Sequence, residues 1–376
     1  MTRRSLLTAL ALSLGILQAA EKVVGGPVVV NVRGKRATIA WMVQTSDVKV
    51  GKAPGNLDIS GPVLRVEKVT LTNLEAGTTY HYDVLGGQPE GQGRFKTPPA
   101  RKAAHDASFQ FAVFGDSWAQ TDAHRRLVGL VIKAAPDFVV HTGDFVYDGN
   151  VSAFWPVFFS IEKELLNKVA FYPVIGNHDG TSPLYYDVFD QSESVPYYSF
   201  DWGSAHFAML NSVVGPGNGY DAHTMSEAVA AAFWREQLQW LEADLAAAQK
   251  ADLRFVVMHN PIITSVTGRS KTPSDGMANH FGEKGPQMVS MFEKYKVQAL
   301  ITGHDQNYQH HVKNGVQYIV TGGCGWKQLP LDPPIPNVTR KAESVDNFLT
   351  VKVAGGKAVV EAVRLDGSLI ERFQVP

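Results

Sequence analysis

Three polar residues that could bind a metal or move a proton follow a short apolar run at residues 171–175 and a glycine. They are Asn177, His178 and Asp179. An asparagine can donate a neutral oxygen to a metal, and a histidine can move a proton near neutral pH. An aspartate can orient either neighbour. On its own this stretch is as compatible with an ordinary polar turn as with a functional site.

The same arrangement of an apolar run followed by polar residues occurs five times in the chain. The polar residues are Asp116, Asp144, Asn177 with His178, His259 and His304. Because the carboxyl ends of parallel strands lie along one edge of a doubly wound sheet, all five could meet in one crevice. Buried ionisable groups are costly unless they are paired or bind metal. A metal site therefore explains the set better than packing does.

The elements that must position these residues alternate between apolar strands and helices from Phe109 onwards, which is typical of βαβ units. Helices are predicted over residues 123–135, 153–166, 226–250 and 287–295. The sequence therefore predicts an α/β domain over residues 107–376. The single cysteine, Cys324, excludes an intrachain disulfide and a thiolate-cluster zinc site.

Residues 22–98 predict strands only. The strands are expected at residues 28–32, 36–43, 64–71 and 79–85, with turn residues between them. This spacing favours a small all-β sandwich of the immunoglobulin or fibronectin kind that supports or docks the α/β domain. Residues 71–84 resemble a stretch of fibronectin type III domains, and the resemblance implies that the Tyr80 hydroxyl ties a corner of the sandwich.

Residues 1–20 have the features of a secretory signal peptide. Arg3 and Arg4 precede an apolar run of about a dozen residues and then Gln-Ala-Ala. The run is too short to span a bilayer comfortably, so a retained anchor is the minor alternative. The sequence predicts a secreted or periplasmic protein without a membrane anchor after cleavage, exported by either the twin-arginine or the general secretory route. A net charge of −1 gives no field that favours nucleic acid.

The five blocks resemble those of calcineurin-like metallophosphoesterases. Tyr147, three residues after Asp144, resembles the purple acid phosphatase branch, which commonly has a fibronectin-like N-terminal domain. The resemblance implies an α/β/β/α sandwich preceded by the small β-sandwich. It also implies two metal ions, iron together with a second iron, zinc or manganese, in an enzyme that hydrolyses small phosphomonoesters or phosphodiesters by attack of hydroxide.

The resemblance also assigns roles to individual residues. Asp144 bridges the metals, and Asp116 and Tyr147 bind the first metal. Asn177, His259 and His304 bind the second metal. His178 protonates the leaving group and is oriented by Asp179. His280, in the long segment at residues 261–285 that is expected to overhang the pocket, contacts substrate together with Asn177.

The sequence departs from the family at two positions. Trp118 stands where many relatives have histidine, and it is expected to form a wall of the pocket. Gln306 replaces the last histidine of the family, and only its neutral amide oxygen could serve the first metal. We therefore hypothesise a weakened, oxygen-rich first site. The alternative is a metal-impaired relative that binds phosphate ligands or envelope partners. Retention of His178 favours the enzyme, and loss of the last histidine favours the binding protein.

Other histidines are predicted to be structural. His141 and His206 lie within apolar strands and are expected to be satisfied core residues. His310 and His311 are out of register with the last block and are expected at the surface. The glycine-rich stretch at residues 322–326 lacks a phosphate-loop lysine, so close backbone packing near the crevice is expected, with Trp326 at its rim.

Overall fold

The computed structural model of the 376-residue chain describes residues 21–100, 105, 107–119, 122–215, 226–270 and 276–375, with the exception of the His280 side chain. The predicted signal peptide lies outside the described residues. Within them, no helix has both the length and the apolar character needed to cross a membrane.

The helices and strands follow one another in a mixed order. The strands are β1 (Lys22–Arg33), β2 (Arg36–Val50), β3 (Ile59–Leu71), β4 (Thr79–Asp83), β5 (Gln92–Lys96), β6 (Phe109–Phe114), β7 (Phe138–His141), β8 (Ala170–Pro173), β9 (Tyr198–Trp202), β10 (Ala205–Met209), β11 (Leu253–Val257), β12 (Ala299–Thr302), β13 (Tyr308–Lys313), β14 (Val316–Val320), β15 (Thr339–Glu343), β16 (Asn347–Ala354), β17 (Lys357–Arg364) and β18 (Leu369–Val375). The helices are α1 (Asp122–Ala134), α2 (Phe154–Leu166), α3 (Pro183–Val188), α4 (Glu227–Ala247) and α5 (Lys284–Lys294).

Two large sheets face each other in the core. One has nine strands in the order β18-β17-β16-β6-β7-β8-β1-β2-β3, and the other has seven in the order β15-β13-β14-β12-β11-β10-β9. Aromatic rings join them: Phe111 of the first sheet lies edge-to-face on Phe207 and Phe255 of the second, with ring centroids 5.2 and 5.7 Å apart. The predicted α/β/β/α sandwich is therefore confirmed.

Strand β6 shows why the sheets have helices on their outer faces. Phe111 and Val113 point into the core between the sheets, whereas Ala112 and Phe114 pack with apolar residues of α1 and α2. Both faces of the strand are buried, so both sets of alternating side chains must be apolar. Helices α4 and α5 cover the outer face of the seven-stranded sheet in the same way.

Parallel pairing brings the predicted site residues to a shared edge. Strands β6, β7 and β8 are parallel neighbours in the nine-stranded sheet. Strands β10, β11, β12 and β14 are parallel neighbours in the seven-stranded sheet. The turns after β6, β7, β8, β11 and β12 therefore project beyond the same end of the sandwich, where open α/β sheets bind ligands.

The N-terminal region is rich in strands, as predicted, but three of its strands join the larger sheet. Strand β1 pairs in parallel with β8 through Val29 and Ala170, and β2 and β3 extend the sheet further. Strands β4 and β5 form a separate two-stranded ribbon, whose Phe95 packs in the same core as Val29. The Tyr80 hydroxyl accepts a 2.7 Å hydrogen bond from the Glu75 N–H, which is the predicted corner. The likeness to fibronectin domains and the boundary at residue 98 stay predictions.

Candidate metal centre

Four of the predicted site residues have left-handed backbone conformations. The φ angles are 56° at Asp116, 61° at Asp144, 69° at His304 and 53° at Gln306. Such angles are uncommon for residues other than glycine, and residues in strained backbone conformations cluster at functional sites. These turns follow strands β6, β7 and β12.

Four side chains from both sheets converge on one point. Asn177 Oδ1 lies 3.0 Å from His259 Nε2 and 2.8 Å from His304 Nδ1. The two ring nitrogens are 3.2 Å apart, and His259 Nε2 is 3.3 Å from an oxygen of Asp144. One ligand atom each from Asp144, His259 and His304 lies within 4.8 Å of the others. One carboxylate, one amide oxygen and two imidazoles are a suitable ligand set for a transition metal.

The orientation of His259 supports a metal in this cluster. Its Nδ1 lies 2.7 Å from the Thr142 carbonyl oxygen, which can only accept a hydrogen bond, so Nδ1 carries the proton. The lone pair of the neutral ring is then on Nε2, facing the Asn177 and Asp144 oxygens. A metal ion, or in its absence a proton on Nε2, satisfies these oxygen atoms, and metal-bound histidines are commonly oriented by a backbone carbonyl in this way.

The titration of the buried groups shows how strongly the centre attracts positive charge. Burial raises the pKa of Asp116 to about 8, although the charge of His259 opposes this effect. Burial lowers the pKa of His259, but Asp144 and Asp116 outweigh it and raise the pKa to about 9. Without a metal the centre therefore retains protons at neutral pH, and metal binding would displace them.

Asp116 contacts the backbone of the His304 turn. Its carboxylate is fully buried, and both oxygens accept a hydrogen bond from the His304 N–H at 3.0 Å. Glycines pack directly against this carboxylate: a Cβ atom on Gly322 would lie 2.1 Å from Asp116 Oδ2, and one on Gly303 would lie 2.7 Å from it. The predicted close packing of the glycine-rich stretch is therefore against a candidate ligand of the first metal.

His178 is held at the exposed side of the centre. Its Nδ1 lies 2.7 Å from the Tyr147 carbonyl oxygen, so Nδ1 is the donor, and Nε2 is the nitrogen that can gain or lose a proton. Its ring stacks on Trp118, with centroids 4.5 Å apart and planes 14° apart. Its backbone N–H donates to Asp144 Oδ1 at 2.8 Å, which fixes its position relative to the metal ligands.

A calcineurin-like phosphoesterase family model matches residues 109–308, which is more than half of the chain. The chain belongs to the calcineurin-like phosphoesterase family. The resemblance on which the metal ligands were predicted is thereby confirmed.

Sequence relatives of this chain include two plant purple acid phosphatases. It is 24% identical to purple acid phosphatase 22 of Arabidopsis thaliana over 291 residues, which are 70% of this chain and 60% of that protein. It is 26% identical to a purple acid phosphatase of Glycine max over 292 residues, 69% of this chain and 56% of that protein. The chain thus spans somewhat more than half of the length of these relatives.

Solved structures share the fold at low sequence identity. The purple acid phosphatase PPD1 of yellow lupin (Lupinus luteus) matches with a TM-score of 0.66 and 15% identity, over 93% of this chain and 73% of that chain. A structure of PhoD matches with a TM-score of 0.61 and 11% identity, over 92% of this chain and 91% of that chain. Both likenesses extend over the strand-rich N-terminal region as well as the α/β domain.

Asp179, which was predicted to orient His178, contacts the backbone of two turns. Its buried carboxylate accepts hydrogen bonds from the backbone N–H groups of Asp144, Phe145 and Gly176 at 2.8–2.9 Å, whereas the Nδ1 of His178 is directed at Tyr147. Asp179 therefore holds together the turns after β7 and β8. It positions Asp144 directly and His178 only through the backbone.

Of the remaining predicted ligands, Tyr147 lies at the exposed margin of the centre. Tyr147 is 40% exposed, with its ring 5.7 Å from that of His178 and 5.4 Å from that of Trp118. The Gln306 backbone carbonyl oxygen lies 3.1 Å from the position of a Cβ atom on Gly323. The roles of Tyr147 and Gln306 as ligands stay predictions. The side chain of His280 lies outside the described residues.

A buried carboxylate that sequence analysis missed holds the His304 turn in place. Asp305 accepts hydrogen bonds from Arg269 Nη1 and Thr264 Oγ1, and Arg269 also contacts the His304 carbonyl oxygen at 3.3 Å. Thr264 and Arg269 belong to the long segment after His259. This segment is therefore attached to both histidine-bearing turns. Its length and its start directly after a ligand were the only sequence signals.

The histidines outside the centre were predicted with mixed success. His141 and His206 are buried and hydrogen-bonded, as expected for satisfied core residues. His310 and His311 were wrongly predicted at the surface, because both are buried in β13. His310 contacts Glu371 and Gln317, and His311 contacts Thr339 and Gln309. Pairing of β13 between β14 and β15 buries these positions.

Proposed function

We propose that the protein is a metal-dependent hydrolase of phosphate esters, acting on phosphomonoesters or phosphodiesters at a two-metal centre. The observation that carries this proposal is the convergence of Asp144, Asn177, His259 and His304 next to His178, within a calcineurin-like phosphoesterase fold. Similarity to plant purple acid phosphatases supports the same class of reaction.

The residues divide the work between holding metal and moving a proton. Asn177, His259 and His304 would hold the second metal, Asp144 would bridge, and Asp116 would hold the first metal with Tyr147 and Gln306. Bound metals would neutralise phosphate oxygens and provide a nucleophile from water at moderate pH. The metals we propose are iron with a second iron, zinc or manganese, because the first site offers mainly hard oxygen donors.

His178 supplies the proton for the leaving alcohol in this proposal. The Tyr147 carbonyl fixes the proton on Nδ1, so the transferable proton is on Nε2 of the charged ring. Stacking on Trp118 prevents the ring from turning away. A group with these two restraints is oriented before substrate arrives, which is the requirement for an efficient general acid.

The second candidate is a protein that binds a phosphate-containing ligand or an envelope partner without turnover. The observation that favours it is Gln306. It stands where the family has a histidine, and it offers the first metal only a weak amide oxygen in place of an imidazole nitrogen. The oriented His178 favours the hydrolase, because a protein that only binds has no need of a proton donor.

We also propose export to the periplasm or the exterior. The basic and then apolar character of residues 1–20 supports this location. A small phosphate ester is the proposed substrate, since a net charge of −1 provides no general attraction for nucleic acid.

Turnover of a chromogenic aryl phosphate by protein purified without chelators tests the proposal. His178→Ala should lower kcat by roughly 10²- to 10⁴-fold, the usual range for loss of a general acid, with no change in metal content. His81→Ala, which removes an exposed histidine on β4, is the matched control and should behave as wild type. Equal rates for wild type and His178→Ala would reject the mechanism, and no turnover by the metal-loaded wild type would favour the binding protein.

A further inference from the structure

Aromatic side chains form a rim around His178 that metal binding does not require. The rim comprises Trp118, Tyr147, His178 and Trp326, and Trp118 is at its centre. The ring of Trp118 lies 4.5 Å from His178, 4.5 Å from Trp326 and 5.4 Å from Tyr147, measured between centroids. Offset and tilted pairs at these distances are favourable aromatic contacts.

The exposure of these rings divides the aromatic rim into a buried part and an accessible part. Trp118 is only 5% exposed, whereas Tyr147 is 40% and Trp326 is 50% exposed. Two accessible rings therefore flank a buried one that packs on the proposed proton donor. Trp326 belongs to the glycine-rich stretch that packs on Asp116, so its backbone is anchored close to the first-metal side.

Trp118 is not explained by stability alone. Its Nε1–H is buried and has no hydrogen-bond partner among the described residues. A buried donor without a partner is unfavourable, so an aromatic residue without that donor would be more stable here. A large ring surface next to His178 is the property that the position provides.

We propose that the aromatic rim makes the enzyme selective for esters whose leaving alcohol carries a planar aromatic ring. This inference rests on the proposed function. Hydrolysis breaks the bond between phosphorus and the alcohol oxygen, water supplies the new oxygen on phosphorus, and His178 gives its Nε2 proton to the alcohol oxygen. The alcohol must therefore depart on the side of His178. There the exposed rings of Trp326 and Tyr147 both lie next to Trp118, which stacks on His178.

The chemistry of the rim favours a flat, neutral group over a second anionic group. None of Trp118, Tyr147 and Trp326 carries a positive charge that could bind a further phosphate. Aromatic rings instead offer a face or an edge to another ring, and such contacts contribute beyond the area that they bury. The neighbouring Lys327 is exposed and is the nearest cation in sequence, so it provides the control for a charge-based preference.

A pair of substrates matched in size and reactivity isolates this selectivity. Benzyl phosphate and cyclohexylmethyl phosphate both release a poor leaving group of similar bulk, and only the first has an aromatic ring. We expect wild-type kcat/KM to favour the benzyl ester by roughly tenfold, the size of one good aromatic contact. Trp326→Leu keeps an apolar side chain but removes the ring, and it should bring the ratio close to one.

Two further variants separate aromatic recognition from other effects. Trp326→Tyr should keep most of the benzyl preference, and Lys327→Ala should keep all of it. A ratio that is unchanged in Trp326→Leu would overturn the proposal. So would an equal loss of kcat/KM for both esters, because Trp326 would then support only the position of Trp118. Since Trp326 is half exposed, loss of folding is not expected, and a thermal unfolding curve checks this.

The outcome also distinguishes this inference from the proposed function. If the metal-loaded wild type hydrolyses both esters without preference, the rim proposal fails and the hydrolase remains. If it hydrolyses neither these two esters nor the chromogenic aryl phosphate, the proposed function fails. Calorimetric titration then still tests the rim, because wild type should bind benzylphosphonate about tenfold more tightly than cyclohexylmethylphosphonate, and Trp326→Leu should not. Equal binding of the two phosphonates by wild type would overturn the rim proposal on its own.

Discussion

The two large sheets contribute different chemistry to the centre. The nine-stranded sheet ends in oxygen donors and the proton donor, namely Asp116, Asp144, Asn177 and His178. The seven-stranded sheet ends in the nitrogen donors His259 and His304. Among the described residues, the cluster of Asp144, Asn177, His259 and His304 combines both kinds of ligand in direct contact, with distances of 2.8–3.3 Å.

In the proposed two-metal centre, this difference predicts two metal positions of unequal affinity. The second position is assembled across the sheets and oriented by the Thr142 carbonyl. At the first position, Asp116 contacts the His304 backbone, Tyr147 is at the exposed margin, and Gln306 replaces an imidazole. We expect a tight second site and a weaker first site, and three variants test this comparison.

The largest expected effect comes from the second position. His259→Ala removes one nitrogen ligand and leaves the Thr142 carbonyl without its donor. Loss of the bound metal should lower kcat/KM by about 10³-fold or more, since metal catalysis contributes several kcal/mol. Elemental analysis should show one metal fewer per chain than in wild type. The exposed-residue variant His81→Ala is the control, and an unchanged metal content in His259→Ala would break the comparison.

Gly322→Ala should damage the first position selectively. The new methyl group would lie 2.1 Å from Asp116 Oδ2, so this carboxylate must move. We expect the affinity for the first metal to fall by roughly 10- to 100-fold, as for other changes next to a ligand. Gly129→Ala, where a Cβ atom meets nothing within 4 Å, is the matched control. Metal titration followed by calorimetry should show one affected site, and two equally affected sites would contradict the assignment.

Gln306→His should strengthen the first position. An imidazole replaces a weak neutral oxygen donor, and titration should show the weaker of the two affinities rising by roughly tenfold or more, since ligand type strongly affects the affinity for transition metals. The tighter affinity should stay the same. Two equally tight sites already in the wild type would refute the hypothesis of a weakened first site.

The smallest expected effect concerns His206, which is in the seven-stranded sheet but outside the centre. Burial lowers the pKa of His206, but hydrogen bonds to Asp201 and Asp244 outweigh this and raise it to about 9. Because the folded pKa is above the unfolded value of 6.5, the stabilisation is present below pH 6.5 and is lost as the pH rises through 9.

Denaturant unfolding at several pH values measures this contribution. Between pH 6.5 and 9, wild type should lose about 1–2 kcal/mol more of its free energy of unfolding than His206→Gln, after a discount for the exposed Asp201. Metal content should be equal in both proteins. An identical pH dependence of the two proteins would show that the ion pairs of His206 do not stabilise the fold.

Sequence reasoning found the centre because its chemistry is local to strand ends. Asp116, Asp144, Asn177, His259 and His304 each follow an apolar run, and parallel pairing brings such positions together. The role of Asp179 was not predictable in the same way. Two of its backbone donors, Asp144 and Phe145, lie more than thirty residues before the third, Gly176. Only the folded chain shows that all three face one carboxylate.

Sequence reasoning also failed to predict which polar residues are buried in paired strands. His310 and His311 follow the last block in a polar stretch, and nothing local indicates that β13 lies between two other strands. In the same way, residues 22–98 predict strands correctly, but pairing partners outside the segment are a property of the whole chain. The contact between Val29 and Ala170 spans the predicted domain boundary.

That contact has a consequence for how this protein could have evolved and how it can be dissected. If the first hundred residues were removed, strand β8, which leads to Asn177 and His178, would become an unpaired edge strand. Tyr172 would also lose the Val32 carbonyl to which its hydroxyl donates at 2.7 Å. Exposed edges of this kind invite intermolecular pairing. The N-terminal strands are therefore an integral part of the fold. Recombination that exchanged them would have to preserve the pairing of β1 with β8.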